Sequence, residues 1–321
     1  MVTDNLTPFF KNNNIAICMS SSNEYTVFLS VVIESIIENS SKSNNYDIVV
    51  MNTNISQKNK QLLCSLTKNH GNVTVRFIEI NEMIKNLTFY TWAHFTQFTY
   101  YRLIIPKIFK NYNKIIYLDS DIVVNADIAE LYNMDVSKYL FGACRDTHVV
   151  ARLNCNDPIH NQDYYMNQLF LLDRRSYAQC GVMLINIEKM RRTFPEDFLI
   201  KEASCRHYTW LDQDLMNTNC RGMIKFLPNV WNVMVFNTPT KIDEYFLPED
   251  LKKEYFAARE NPKIVHYIGR SAPCYDPYGD FNALFWKYAR NTPYYEYLLS
   301  QMMDVKINKK INSLRRKKKW K

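Results

Sequence analysis

This sequence predicts an α/β fold: a Rossmann-like, mostly parallel central sheet flanked by helices. Three observations carry it. Short apolar runs alternate with longer helical patterns through the first half of the chain. Most of the short runs, such as Ile15 to Met19 and Ile115 to Leu118, are apolar without polar alternation, as strands covered on both faces are. The fourth ends abruptly in an acidic triplet, at the kind of strand end where parallel sheets bind ligands.

The elements follow in order. Ile15 to Met19 reads as a buried strand, followed by polar Ser20 to Glu24 and a helical run from Tyr25 to Asn39. Asp47 to Met51 is a second strand, Ser56 caps a helical pattern reaching Lys68, and Val73 to Ile78 is a third strand. Tyr100 to Phe109 has helical character that Pro106 should end or kink. Lys114 to Leu118 is the fourth strand and runs into Asp119-Ser120-Asp121. Strands separated by helices of this length imply a parallel sheet. Beyond Phe141 to Arg145 the pattern loosens, and Thr147 to Ser176 reads as a long loop, functional or disordered, rich in Asn, Asp and Tyr. Gly181 to Ile187 is a strand, and helical segments extend to Arg206 and again around Gln213 to Thr218. Ile264 to Tyr267 is a short strand and Phe281 to Arg290 a helix. One domain over residues 1–304 and a mobile, low-complexity tail over 305–321 are expected.

Composition narrows the function. The chain has 40 Lys and Arg against 32 Asp and Glu, a net charge of +8. Nine of those basic residues, and no acid, fall between Val305 and Lys321, so the body is near neutral. A whole-protein basic face for wrapping nucleic acid is therefore not expected. Ile307, Ile311 and Leu314 lie at i, i+4 and i+7 among these lysines and arginines, the pattern of a helix lying on anionic lipid. A solubilising disordered tail is the plainer alternative. The chain holds only 6 glycines, with no GxGxxG or GxxxxGKS spacing, so any bound diphosphate needs something other than a glycine loop. The 8 cysteines form no CxxC or zinc pattern, which suits a reducing compartment. With no apolar leader core and no run of apolar residues long enough to span a bilayer, cytoplasmic residence with peripheral association at the inner membrane face is expected.

Four local features carry candidate chemistry. Asp119 and Asp121 at a strand end suit a divalent cation, or else form an acidic turn before a helix. A second triplet, Asp212-Gln213-Asp214, shows how little such a pattern says alone; it reads equally as a first-turn acid pair. His266, at the end of an apolar strand, is either a satisfied core histidine or a third ligand. Arg102, among apolar neighbours, reads as a partly buried ion pair.

Together these blocks resemble glycosyltransferase family 8, which includes bacterial lipopolysaccharide galactosyl- and glucosyltransferases and glycogenin. The resemblance rests on Phe98 to Leu103, Tyr117-Leu118-Asp119-Ser120-Asp121, Gly181 to Ile187, Leu211 to Asn217 and His266-Tyr267-Ile268-Gly269, in that order. It implies a GT-A fold and retaining transfer of a hexose, glucose or galactose, from a UDP-sugar to a glycan or glycolipid acceptor such as lipopolysaccharide. It implies Mn²⁺ (or Mg²⁺) held by Asp119, Asp121 and His266. By motif match, Asp212 would hold sugar hydroxyls, Gln213 would lie near the anomeric carbon, and Arg102 would brace Asp119 or the donor sugar. The donor-binding set it implies is Ser22, Asn23, Tyr25, Ser120, Gln179 and Gly269, to which Arg270 is added as a candidate.

Three departures from the family pattern bear on the donor. Ser22-Asn23-Glu24-Tyr25 stands where the family has Asp-Asp-Asn-Tyr, leaving amide and hydroxyl groups for uracil and ribose. Gln179 stands near a family Asn that contacts the sugar. Ala272-Pro273-Cys274 replaces Lys-Pro-Trp, so the phosphate-binding lysine is gone and Arg270 is the candidate substitute. A relative that binds nucleotide-sugar without efficient transfer is the alternative these departures raise.

Overall fold

The structure is a computed structural model that describes residues 6–91, 96–155, 161–235, 246–269 and 271–318, with side chains through residue 307. Arg270 lies outside the described residues. Seven strands form the main sheet: β1 (Asn14–Ser20), β2 (Asn45–Asn52), β3 (Val73–Glu79), β4 (Lys114–Leu118), β6 (Phe141–Arg145), β7 (Ala178–Asn186) and β8 (Ile224–Leu227). Their order is β3-β2-β1-β4-β7-β6-β8, and β7 alone runs antiparallel to its neighbours. A smaller sheet takes β5 (Ile122–Val124), β10 (Ile264–Tyr267) and β9 (Val233–Val235), in the order β5-β10-β9.

The continuous apolar runs follow from burial on both faces. In β4, Ile115 and Tyr117 enter one core cluster while Ile116 and Leu118 enter another, so none of these four faces water. The helix Thr26–Asn39 is apolar nearly all round because it is wedged between the two sheets. Leu29, Val32, Ile33 and Ile36 pack toward the main sheet, whereas Val27, Phe28 and Val31 join the core of the smaller one. Ser35 Oγ accepts the Val124 amide at 2.9 Å and so ties this helix to β5.

Several elements differ from expectation. Gln97–Ile104 is a 3₁₀ helix, and Pro106 sits in the first turn of a separate short helix, Ile105–Ile108, where its missing N–H breaks no ladder bond. The supposed loop Thr147 to Ser176 begins with a helix, Thr147–Asn154, whose Asp146 cap accepts the Val149 amide at 2.9 Å, and later holds a π-helix, Tyr164–Gln168. The strands β8 and β9 and the helix Glu249–Glu260 are further additions. At the C-terminus one continuous helix, Tyr295–Lys318, runs across residue 304, so the basic segment extends a helix rooted in the body by buried Leu298. Among the described residues, no helix is long and apolar enough to cross a membrane.

Candidate active site

The acidic triplet lies where the chain leaves one sheet for the other. Asp119 still belongs to the main sheet, its amide donating to the Gly181 carbonyl at 2.8 Å. Ser120 bonds back to the Ser20 carbonyl at the end of β1, 2.8 Å away. Asp121 then opens β5, and its carbonyl accepts the Tyr267 amide at 2.9 Å. Antiparallel pairing of β10 with β5 sets His266 opposite Ile122. His266 Nε2 thus comes within 3.2 Å of Asp121 Oδ1 and 3.8 Å of Asp119 Oδ2.

The three side chains present ligand atoms within 4.8 Å of one another. Two hard carboxylates and an imidazole fit a divalent cation such as Mn²⁺ or Mg²⁺. Gly181 reinforces the fit: a Cβ on it would stand 2.5 Å from Asp119 Oδ2 and collide with the His266 ring, so space around the triad requires its bare backbone. Burial alone would lower the His266 pKa, but Asp121 and Asp119 beside it raise the pKa above its ordinary value.

Arg102 joins this triad to the second acidic motif. Its Nη2 is 2.9 Å from Asp119 Oδ1 and its Nε 2.9 Å from Asp212 Oδ2, with the guanidinium 4.6 Å from the centre of the Tyr117 ring. Burial would lower its pKa, but Asp119 and Asp212 carry it above the usual arginine value, so the cation is permanent. Asp212 also accepts the Thr99 hydroxyl. Its Oδ2, despite the nearby guanidinium, meets no donor in hydrogen-bond alignment. Burial pushes the Asp212 carboxyl up to about 6, against the lowering effect of Arg102 and Thr99.

Gln213 follows in the first turn of the helix Leu211–Asn219, which starts from a strained Leu211 at φ 51°. Its Oε1 accepts the Cys180 amide at 3.0 Å and its Nε2 donates to Asp146 at 2.9 Å, which fixes the amide's orientation. Asp214 faces away from this work. It accepts the hydroxyls of Tyr164 (2.6 Å) and Tyr177 (2.5 Å) and the Trp210 amide (2.7 Å), pinning the Tyr164–Gln168 turn to the helix.

A cleft of about 680 Å³ opens over these groups, lined also by Ser22, Tyr25, Gln179 and Gly269. Gly269 adopts φ 66°, a conformation that favours glycine. Asn23 is not brought to the cleft. Its amide oxygen accepts the Ser56 amide and the Asn59 side chain, both at 2.9 Å, so it secures the helix Gln57–Ser65 and neighbouring Glu24 lines the cleft instead. Asp146 and Asn232 were not singled out in the sequence. The first carried a signal, an Asp-Thr cap ahead of Val149, Val150 and Leu153; the second carried none.

The matched motifs now have one geometry, and comparison with known proteins agrees with it. The model of "Glycosyl transferase family 8" matches residues 16–273. The chain belongs to that family. A Haemophilus influenzae protein with a provisional glycosyltransferase assignment is 30 % identical over 259 residues, 79 % of this chain and 71 % of its own. The lipopolysaccharide 1,2-glucosyltransferase of Escherichia coli is 24 % identical over 171 residues, half of this chain and 44 % of its own. Among solved structures, the bifunctional glycosyltransferase WbbM aligns with TM-score 0.84 and 31 % identity over 93 % of this chain, which spans 53 % of WbbM. The galactosyltransferase LgtC, in complex with donor and acceptor sugar analogues, aligns with TM-score 0.66 and 21 % identity over 87 % of this chain and 96 % of its own. The fold of this family 8 glycosyltransferase is accordingly GT-A-like.

Proposed function

We propose that this family 8 protein transfers a hexose, glucose or galactose, from a UDP-sugar to a glycan acceptor with retention at the anomeric carbon, and that it depends on a divalent cation. The observation that carries the reading is the charge balance of the cleft. Glu24, Asp119, Asp121, Asp146 and Asp212 line it, and Arg102 is engaged by two of them. A diphosphate would be repelled there without a cation, and the sequence has no glycine loop to receive one. Asp119, Asp121 and His266 would hold Mn²⁺ or Mg²⁺, which when bound supplies the positive charge a nucleoside diphosphate leaving group needs.

The chain's own residues do the rest. Arg102 holds Asp119 and Asp212 apart at fixed positions. Asp212, which lines the cleft beside Arg102, would hold the hydroxyls of the donor sugar. Gln213 is held between Asp146 and the Cys180 amide, and an amide so fixed is a poor nucleophile. This favours attack by the acceptor hydroxyl from the face the nucleotide leaves. Ser22, Tyr25, Ser120, Gln179 and Gly269 line the cleft and would meet the nucleotide and sugar. The acceptor reading, lipopolysaccharide or another surface glycan, draws on the Escherichia coli relative. The basic helix end would attach the protein to an anionic membrane at its cytoplasmic face, and exposed Met303 and Ile307, one turn apart, extend that apolar stripe into the body.

One observation favours a second reading, nucleotide-sugar binding without efficient transfer: Ala272 stands where family members carry lysine, and its buried methyl group supplies no charge there. Incubation with UDP-glucose and UDP-galactose separates the two. Mn²⁺-dependent release of UDP that Asp121→Ala abolishes is expected; no turnover of any UDP-hexose would support the binding protein.

A further inference from the structure

Behind His266 lies a chain of hydrogen bonds whose direction is set at one end by the backbone. The Gly181 amide can only donate, so the Gln179 atom 2.7 Å from it is the amide oxygen Oε1. That same oxygen lies 2.7 Å from Asn232, which must therefore turn its nitrogen Nδ2 toward it. Asn232 is left presenting Oδ1 to His266 Nδ1 at 3.1 Å. An amide oxygen only accepts, so Nδ1 carries the proton. The lone pair of the neutral ring then sits on Nε2, the nitrogen that faces Asp121 and Asp119. Gln179, Asn232 and His266 are all buried, so water does not compete for these bonds.

We propose that Asn232 is a positioning residue of the metal centre: through Gln179 and Gly181 it presets the His266 tautomer that offers Nε2 as a ligand. The inference rests on the metal reading above, since a tautomer matters only if Nε2 binds something. Metal-ligating histidines generally need such a partner on the other nitrogen, and its loss weakens the metal. Asn232 does not line the cleft, so it acts on the site through the imidazole and Gln179. Nothing in the sequence around Asn232 marks it. Its position just before β9, beside β10, places it there.

The test is a Mn²⁺ titration of the full chain followed by the paramagnetic resonance of free Mn²⁺, with no nucleotide or sugar present. Asn232→Leu, similar in size but unable to accept, should bind about 10–100-fold more weakly. Asn232→Asp keeps an acceptor for the Nδ1 proton, although it gives up the bond to Gln179 Oε1, and should bind more tightly than Asn232→Leu. Asp121→Ala should lose binding. Metal-free thermal melts report whether each variant folds. If Asn232→Leu does not fold, Gln179→Leu replaces it: the Asn232 amide is then free to turn over, and several-fold weaker binding is expected. Unchanged affinity in Asn232→Leu (or in its replacement), with binding lost in Asp121→Ala, overturns the relay and leaves the metal reading standing. A folded Asn232→Asp as weak as Asn232→Leu makes Asn232 a packing residue and also overturns it. No Mn²⁺ binding by the unsubstituted protein overturns the metal reading and the relay with it.

Discussion

Substituting Gly181 by alanine tests whether the space around the acidic triad is built for an ion. Gly181 lies within β7 at a negative φ, so alanine strains no backbone and any effect is steric. The new Cβ would stand 2.5 Å from Asp119 Oδ2 and 3.0 Å from Gln179 Oε1, and would overlap the His266 ring. A real Cβ keeps well over 3 Å from such atoms, so Asp119 and His266 must each retreat by several tenths of an ångström. Overpacking of this kind costs about 1–3 kcal/mol, a fall in Tm of roughly 2–10 °C for a domain of this size. Displacing two of three ligands should also weaken Mn²⁺ at least about tenfold, since ligand placement within about half an ångström is what a metal site requires. Gly142→Ala is the control. Its Cβ meets only side-chain methyls of Leu227 and Val136, at 3.0 Å or more, and touches no ligand. Melting curves with and without Mn²⁺ read both quantities. Loss of stability in both variants, with Mn²⁺ affinity lost in Gly181→Ala alone, is the expected result. A Gly181→Ala protein that binds Mn²⁺ like the unsubstituted chain would refute the reasoning.

Two further predictions concern charge. Burial raises the Asp214 carboxyl to about 6 in the folded protein, above its unfolded value of about 3.9, so the folded state holds the extra proton between these limits. Stability should therefore fall as pH rises from about 4 to 6, by up to about 3 kcal/mol for this group; urea unfolding of Asp214→Asn should show a shallower decline across that window, and an unchanged slope would count against it. The second concerns the basic helix end: deleting residues 305–321 removes nine basic charges worth about 1 kcal/mol each near an anionic surface, before discounting for placement. Release from anionic liposomes with UDP-sugar hydrolysis intact is expected, and equal liposome binding by both forms would count against the anchor.

The strands were legible because burial on both faces leaves an apolar run that local composition shows directly. Most helices were legible through caps and spacing, such as Ser56 with Asn59. The helix after Asp146 was hidden by the polar residues beyond it, β8 by Lys225 interrupting its apolar run, and β9 by its three-residue length. Asn23 was misplaced for a related reason: its neighbourhood in sequence is the cleft, but its side chain satisfies the start of the helix Gln57–Ser65.

By itself, the sequence determined the parallel sheet, the acidic strand end and the family to which both belong, because these follow from patterns within a few consecutive residues. The resemblance implied that Asp119, Asp121 and His266 act together, but only the tertiary structure showed how: a strand pairing between distant segments joins them. It alone separated Asp212 from Asp214: one is held by Arg102 at the cleft, the other is bound by two tyrosine hydroxyls behind it. And it alone supplied Asn232, because the direction of a hydrogen-bond chain depends on which buried atoms face each other, a property no single segment carries.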